Sequence, residues 1–365
     1  MKTTDLAMIF MAIVIPIVIV VYVDVSFLLK SEEKKLYYIN VINAAIDDAT
    51  NAMKKVEGED IDIDYGYSGL AEKKVSVNAN VAVEKFFESL YDNFEINGDK
   101  PNEEYLKSHV PAMAIVDYNG VYIYSMEAYE TKKLANAEVY IEHILKPKRY
   151  FSYTYGILNN SIIPEDSLRG LTTEDYEKVK LHSVIFTMDD YIFYINEDGT
   201  KNGFYMEDNS NNQSLYKGAE AISDEVIRHL KMQRNATISE IVSEEMSYAV
   251  NAHNFHSNVE YEFYFPAFAL EEWQQMVSDI GIIAFVQGIN IGNEKLDYTA
   301  HGISGLKVTD RYYVSRTRTA QELSYYHITK ECSMYEAQSK PITGYYLSLI
   351  DAASLGYYPC PVCSP

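Results

Sequence analysis

Cysteine is nearly absent from this chain: three residues in 365, Cys332, Cys360 and Cys363, all within the last 34 positions. So sparse and odd a set gives the main body no disulfide framework, and its fold must rest on a core of its own. Tryptophan occurs once, at Trp273, while tyrosine occurs 33 times. Positive charge is also scarce, with 31 basic against 53 acidic side chains and a formal charge of −22. That balance excludes sequence-independent nucleic-acid binding, which needs a basic face for phosphates, and disfavours adhesion to anionic lipid head groups. No Pro-, Gly- or Ser-rich linker and no internal repeat divides the chain.

Against these absences stands one long apolar run. Leu6 to Val23 (LAMIFMAIVIPIVIVVYV) carries no charged side chain, and Val25 to Leu29 extend it. At about 1.5 Å per residue the whole stretch crosses a hydrocarbon core of about 30 Å. Pro16 lies mid-run, where membrane helices tolerate it. A cleaved signal peptide is the competing reading. The preceding MKTTD is only weakly basic, however, and the exit side VYVDVSFLL lacks the small-x-small pattern of a cleavage site. The expectation is an uncleaved anchor at the cell membrane, crossing once, with the body on the extracytoplasmic side. Lys30, Lys34 and Lys35 nominally favour the opposite orientation, and Lys2 competes from the other end.

The anchor (residues 1–29) is followed by a predicted juxtamembrane helix over 30–57. Ile39, Ile42, Ile46, Ala49 and Met53 recur at three- and four-residue steps, a narrow apolar seam that packs on another copy or on the body. An ordinary amphipathic linker helix is the plainer alternative. Residues 58–310 predict an α+β ectodomain of mixed antiparallel strands, without the βαβ rhythm of a parallel sheet. VAVEKFFESLYDNFEING reads as an amphipathic helix stopped at Asn97-Gly98. AMAIVDYNGVYIYSMEAY reads as a hairpin with a type I′ turn at Asn119-Gly120, and HSVIFTMDDYIFYINEDGTKNGFYMED repeats the style. DEVIRHLKMQRNATISEIVSEEMSYAVNAHN predicts one long helix or two short ones. NVEYEFYFPAF predicts strand, and LEEWQQMVSDIGIIAFVQGI predicts helix.

The last segment, 311–365, holds the sharpest chemical pattern. His327 and Cys332 form one short-spaced pair and Cys360-x-x-Cys363 another. Zn²⁺ takes four such ligands in a tetrahedron, from two pairs that the fold brings together. The predicted ligand set is therefore His327, Cys332, Cys360 and Cys363 around a structural zinc. A Cys360–Cys363 disulfide or redox dithiol, and unliganded thiols, remain alternatives. Other candidates are weaker. Asp60, Asp62 and Asp64 lack the glycine and glutamate spacing of a calcium loop. His253 and His256 lack the glutamate of a His-Glu-x-x-His site. Gly302-Ile303-Ser304-Gly305 lacks the spacing of a nucleophile elbow. Glu271 and Glu272 beside Trp273 point to different sides of a helix. No residue is predicted to be catalytic.

Two resemblances follow from these residues. The proline-bearing apolar helix followed by NAAIDDATNAM resembles the TadE/TadF-type pseudopilins of tight-adherence pilus systems, over about 50 residues. The pattern of pilins proper, a glycine followed by an apolar stretch with a glutamate at its fifth position, is absent. The resemblance implies a subunit anchored or packed through its N-terminal helix, with partners in the lipid bilayer, in other copies or in pilus and secretion components. The tail, with Tyr326, His327, Cys332, Ala352, Gly356, Tyr357, Pro359, Cys360 and Cys363, resembles the small Ada-like zinc-binding domain of bacterial surface proteins and nucleases. It implies a closed, structural zinc site. A non-enzymatic surface or pilus-assembly component is the leading expectation. A ligand-binding or sensor ectodomain and a cell-wall-directed hydrolase are the alternatives.

Overall fold

The computed structural model describes residues 3–53, 77–133, 136–159, 161–188, 191–195, 201–205, 224–256, 263, 279–291, 294–303, 312–317, 324–328, 332–336, 339–347 and 357–363. Within them the apolar run and the seam belong to one helix, α1 (Thr3–Ala52). Its 50 residues span about 75 Å. The two halves have opposite environments. Val18 and Leu29 are 58% and 66% exposed, whereas Ile42, Ala45, Ile46, Ala49 and Met53 are completely buried. The seam is thus part of the body's core.

Helices α2 (Ala79–Asn93) and α3 (Lys100–Lys107) follow, each capped at its N-terminus by the side chain before it, Asn78 and Asp99. α2 buries Ala82, Phe86, Phe87 and Leu90, while Val81 and Val83 are only half-buried. It ends earlier than the sequence suggests. Glu95 already has φ 57, so the chain leaves the helix before Gly98 is reached.

Strands β1 (Ala112–Asp117), β2 (Gly120–Lys133), β3 (Asn136–Leu145) and β4 (Arg149–Tyr150) come next. Then follow β5 (Ser152–Leu158), β6 (Ser161–Ile163), α4 (Glu165–Leu168), α5 (Thr173–Tyr176), β7 (Lys180–Phe186), β8 (Tyr191–Ile195) and β9 (Lys201–Tyr205). The long helix α6 (Asp224–His256) is one element, not two. β10 (Gly281–Ile291) and β11 (Glu294–Ile303) complete the body. The tail contributes β12 (Tyr312–Thr317), β13 (Ser324–His327), α7 (Ser333–Glu336), β14 (Ser339–Leu347) and β15 (Tyr358–Pro359).

Antiparallel pairing gives a sheet of order β11-β10-β1-β2-β3, with β4 added beside β2, and a second of order β6-β5-β7-β8-β9. All six residues of β1 are buried, so both faces of the first sheet are covered. α1 and α2 take one face: Gly302 lies against Ile46, Tyr298 donates to Asn43 Oδ1 at 3.1 Å, and Tyr124 stacks near Phe87. The other face meets α6 through Phe285, whose ring is 4.3 Å from that of Phe263. Phe263 is itself held by Asn251 of α6. The first half of α6 reaches the second sheet, where Tyr153 Oη is 3.0 Å from His229 Nε2 and Arg234 Nε donates to the Thr187 carbonyl at 2.8 Å. One continuous core joins α1, both sheets and α6.

Two sequence expectations need correction. Gly281–Ile289, predicted as helix, is strand β10. Its run of β-branched and aromatic residues is buried on both faces, and continuous burial removes the alternation that distinguishes a strand from a buried helix. The first hairpin turns at Tyr118–Asn119, because Asp117 pairs with Gly120, and neither turn residue has positive φ. The type I′ turn at Asn119-Gly120 is therefore not formed. Gly120 serves another purpose: a Cβ there would lie 2.5 Å from the Arg149 carbonyl oxygen and 2.9 Å from Lys148 Cγ. Its absence lets the chain before β4 lie flat on the hairpin end. The predicted strand NVEYEFYFPAF falls, apart from Phe263, outside the described residues.

Candidate metal centre

The tail builds its site from strand ends. β13 and β15 run parallel, with Tyr325 beside Tyr358 and Tyr326 beside Pro359. The Cys360 N–H donates to the Tyr326 carbonyl at 3.1 Å, which sets Cys360 next to His327. Cys332 sits at the start of α7, where the Tyr335 N–H bonds back to its carbonyl at 2.8 Å. Cys363 follows in the turn after β15, completing the four residues.

Their ligand atoms all lie within 4.8 Å of one another. Cys332 Sγ is 3.6 Å from Cys360 Sγ, and Cys363 Sγ is 3.6 Å from His327 Nδ1. Metal–sulfur bonds of about 2.3 Å and a metal–nitrogen bond of about 2.0 Å at tetrahedral angles require S···S of about 3.8 Å and S···N of about 3.5 Å. These two pairs therefore sit near the separations a tetrahedral ion imposes, and no other pair of donors is more than 4.8 Å apart. Sulfurs 3.6 Å apart are far beyond disulfide bonding, and all three cysteines are free thiols. His327, Cys332 and Cys360 are buried and Cys363 is half-buried, so four protein donors surround the position that an ion could take.

The electrostatics suit a cation. Burial holds the His327 imidazole below its usual range, in the neutral form that a metal needs. Burial alone pushes the Cys332 thiol up, but the Met334 and Tyr335 N–H groups and the neighbouring thiols outweigh it, and the net direction is down. Burial, reinforced by the other two sulfurs, pushes Cys363 up to about 12. Three thiols packed this closely cannot all ionise without a positive charge between them. The Val362 N–H points at Cys360 Sγ at 3.5 Å, the support expected in a Cys-x-x-Cys knuckle.

Ser315 of β12 is a functional residue that the sequence reading missed. Its Oγ is 2.6 Å from His327 Nε2, inside the buried face of the tail sheet. Engaging Nε2 leaves Nδ1 directed at the sulfurs. The available signal was YYVSRT, where one small polar residue falls on the buried side of an otherwise aromatic strand. Among the described residues of the tail, Tyr313 and Tyr335 pack with Cys332 and Cys360, and Val314 with Tyr326.

Of the remaining candidates, the described residues include His253, His256, Gly302 and Ile303. His253 Nε2 is 3.1 Å from the Ser108 carbonyl and helps join α6 to α3, and His256 lies at the end of α6. Neither belongs to a metal-sized group among the described residues. Gly302 serves the packing of β11 on α1, while Ser304 and Gly305, Asp60, Asp62 and Asp64, and Glu271, Glu272 and Trp273 lie outside the described residues. Comparisons with protein-family models, with curated proteins and with solved structures find no match.

Proposed function

We propose that this chain is a membrane-anchored, non-enzymatic assembly subunit of a pilus-like system, with an extracytoplasmic body and a tail fastened by structural zinc. One observation carries the reading. A single helix leaves its apolar first half bare and commits its second half to the body's core. Bare Val, Ile and Phe side chains from Phe10 to Phe27 demand either lipid or the matching helices of other copies. Ser31 Oγ already reaches the Ile291 carbonyl at 3.4 Å, so the body begins within one turn of the apolar run's end. A rigid arm so short brings neighbouring bodies together whenever their helices associate.

The donor set supports zinc. Three thiolates and one imidazole with no open position match closed structural zinc sites, whose metal supplies folding energy to a domain with little core. The acidic surface fits a protein displayed away from nucleic acid.

The test uses the full-length chain in native membranes. Cysteine placed at Val18 or Val25 should give oxidative cross-links between copies, and added protease should digest the body on intact cells. Monomers only at every position along the bare face would refute assembly through α1. A body shielded in intact cells and exposed on lysis would refute the orientation.

A further inference from the structure

Away from the tail, Lys148 is almost fully enclosed where β4 meets the first hairpin. Its side chain is 8% exposed and that of its partner Asp117 4%, with Nζ 2.7 Å from Asp117 Oδ2. The same Nζ donates to Asn119 Oδ1 at 3.2 Å. Tyr122 and Tyr150 flank the amine, with ring centroids 5.3 and 5.6 Å away. Asp117 is fixed in turn, its other oxygen accepting the Tyr118 N–H at 2.7 Å. The Phe151 N–H anchors the Asn119 carbonyl at 3.0 Å, and Gly120 admits the approach of Lys148 and Arg149. An amine, a carboxamide and a carboxylate are thus held together in a largely enclosed, aromatic-walled site.

We propose that Lys148 and Asn119 join in an intramolecular isopeptide bond, with Asp117 as the proton carrier. In the reacting state the ammonium passes a proton to Asp117 Oδ2 across their 2.7 Å contact, giving a free amine and a carboxylic acid. The Nζ lone pair attacks Asn119 Cγ, the Asp117 acid proton stabilising the developing oxyanion. A proton from Nζ moves to Nδ2, the Cγ–Nδ2 bond breaks, and ammonia leaves. It takes up the Asp117 proton and departs as ammonium, returning the carboxylate. One C–N bond forms and one breaks, nothing is oxidised or reduced, and no co-reactant is needed. Holding the groups in contact supplies the effective concentration that an amine and an amide lack in water. The link ties the β1–β2 turn to the chain entering β4, independently of the membrane and assembly reading.

The experiment is intact mass and peptide mapping of the purified full-length protein. The expected result is a mass below that of the sequence by one ammonia, about 17 Da, with a branched peptide joining Lys148 to Asn119. Lys148→Arg and Asp117→Asn should restore the full mass, and the wild-type measurement stands even if either variant folds poorly. An unshifted wild-type mass would overturn the proposal and leave an ordinary buried ion pair. So would a loss confined to a linear peptide cyclised at Asn119-Gly120, which is succinimide formation.

Discussion

Replacing Ile46 by alanine separates a helix that merely leads out of the membrane from one that is part of the body's core. Ile46 is fully buried between α1 and β11, with Gly302 facing its Cγ2. The substitution removes three carbons, worth roughly 2.4 kcal/mol of transfer free energy at about 0.8 per group. Incomplete collapse around the cavity raises the cost to about 3–4 kcal/mol. For a body of this size the loss lowers Tm by roughly 6–16 °C. The assay is unfolding of the full chain in detergent, followed by near-UV circular dichroism of its tyrosines. Ile19→Ala, on the same helix but 56% exposed, serves as the control and should change stability by less than about 0.5 kcal/mol. Gly302→Ala should also destabilise, since its Cβ would meet Ile46 Cγ2 at 2.4 Å and Thr50 Oγ1 at 2.6 Å. Combined with Ile46→Ala it should cost less than the sum of the two, because part of the clash is gone. An Ile46→Ala protein as stable as its parent, or strict additivity in the double variant, would refute this packing.

Elemental analysis should find one zinc per chain, lost in Cys360→Ser, and chelation should unfold the tail while leaving the body's transition in place. Ser315→Ala should keep the ligands but weaken zinc binding by about 10–100-fold in a competition titration, since the imidazole loses the group that orients it. Burial, with lesser contributions from Lys107 and His253, pushes His143 down to about 4, against about 6.5 when unfolded. The folded state therefore binds fewer protons in that window, and stability should fall as pH drops from 6.5 toward 4. His143→Phe, which keeps the stacking on Tyr124, should flatten that decline in a pH series of denaturant midpoints. A fragment starting at residue 58 should fail to fold, whereas one starting at residue 31 should give a folded body by the same near-UV signal.

The clustering of His327, Cys332, Cys360 and Cys363 was legible because it depends on residue identity: one histidine and three cysteines in two short-spaced pairs suit a common ion. The partner of His327 was not, because Ser315 meets it through strand register, which no local pattern specifies. For α1 the apolar run and the Ile39–Met53 seam were both visible, but a seam states only that something covers it. The choice between another copy and the chain's own sheet rests on β10 and β11, more than 200 residues away. β10 itself was misread because burial on both faces erases periodicity. Asn119-Gly120 suggested the right hairpin for the wrong reason: the glycine answers to the backbone of Arg149, not to a left-handed turn.

Because the bare and the buried halves of α1 are one continuous helix, the apolar end has mechanical purchase on the centre of the body. Tension along the helix would load the Ile42–Met53 contacts in shear, all at once, and could not peel them away one at a time. Rotation of the first half would turn the second against the sheet. No soft joint lies between them to absorb it. A chain built this way carries strain at its apolar end directly to its core, and it cannot lose α1 without losing part of its interior.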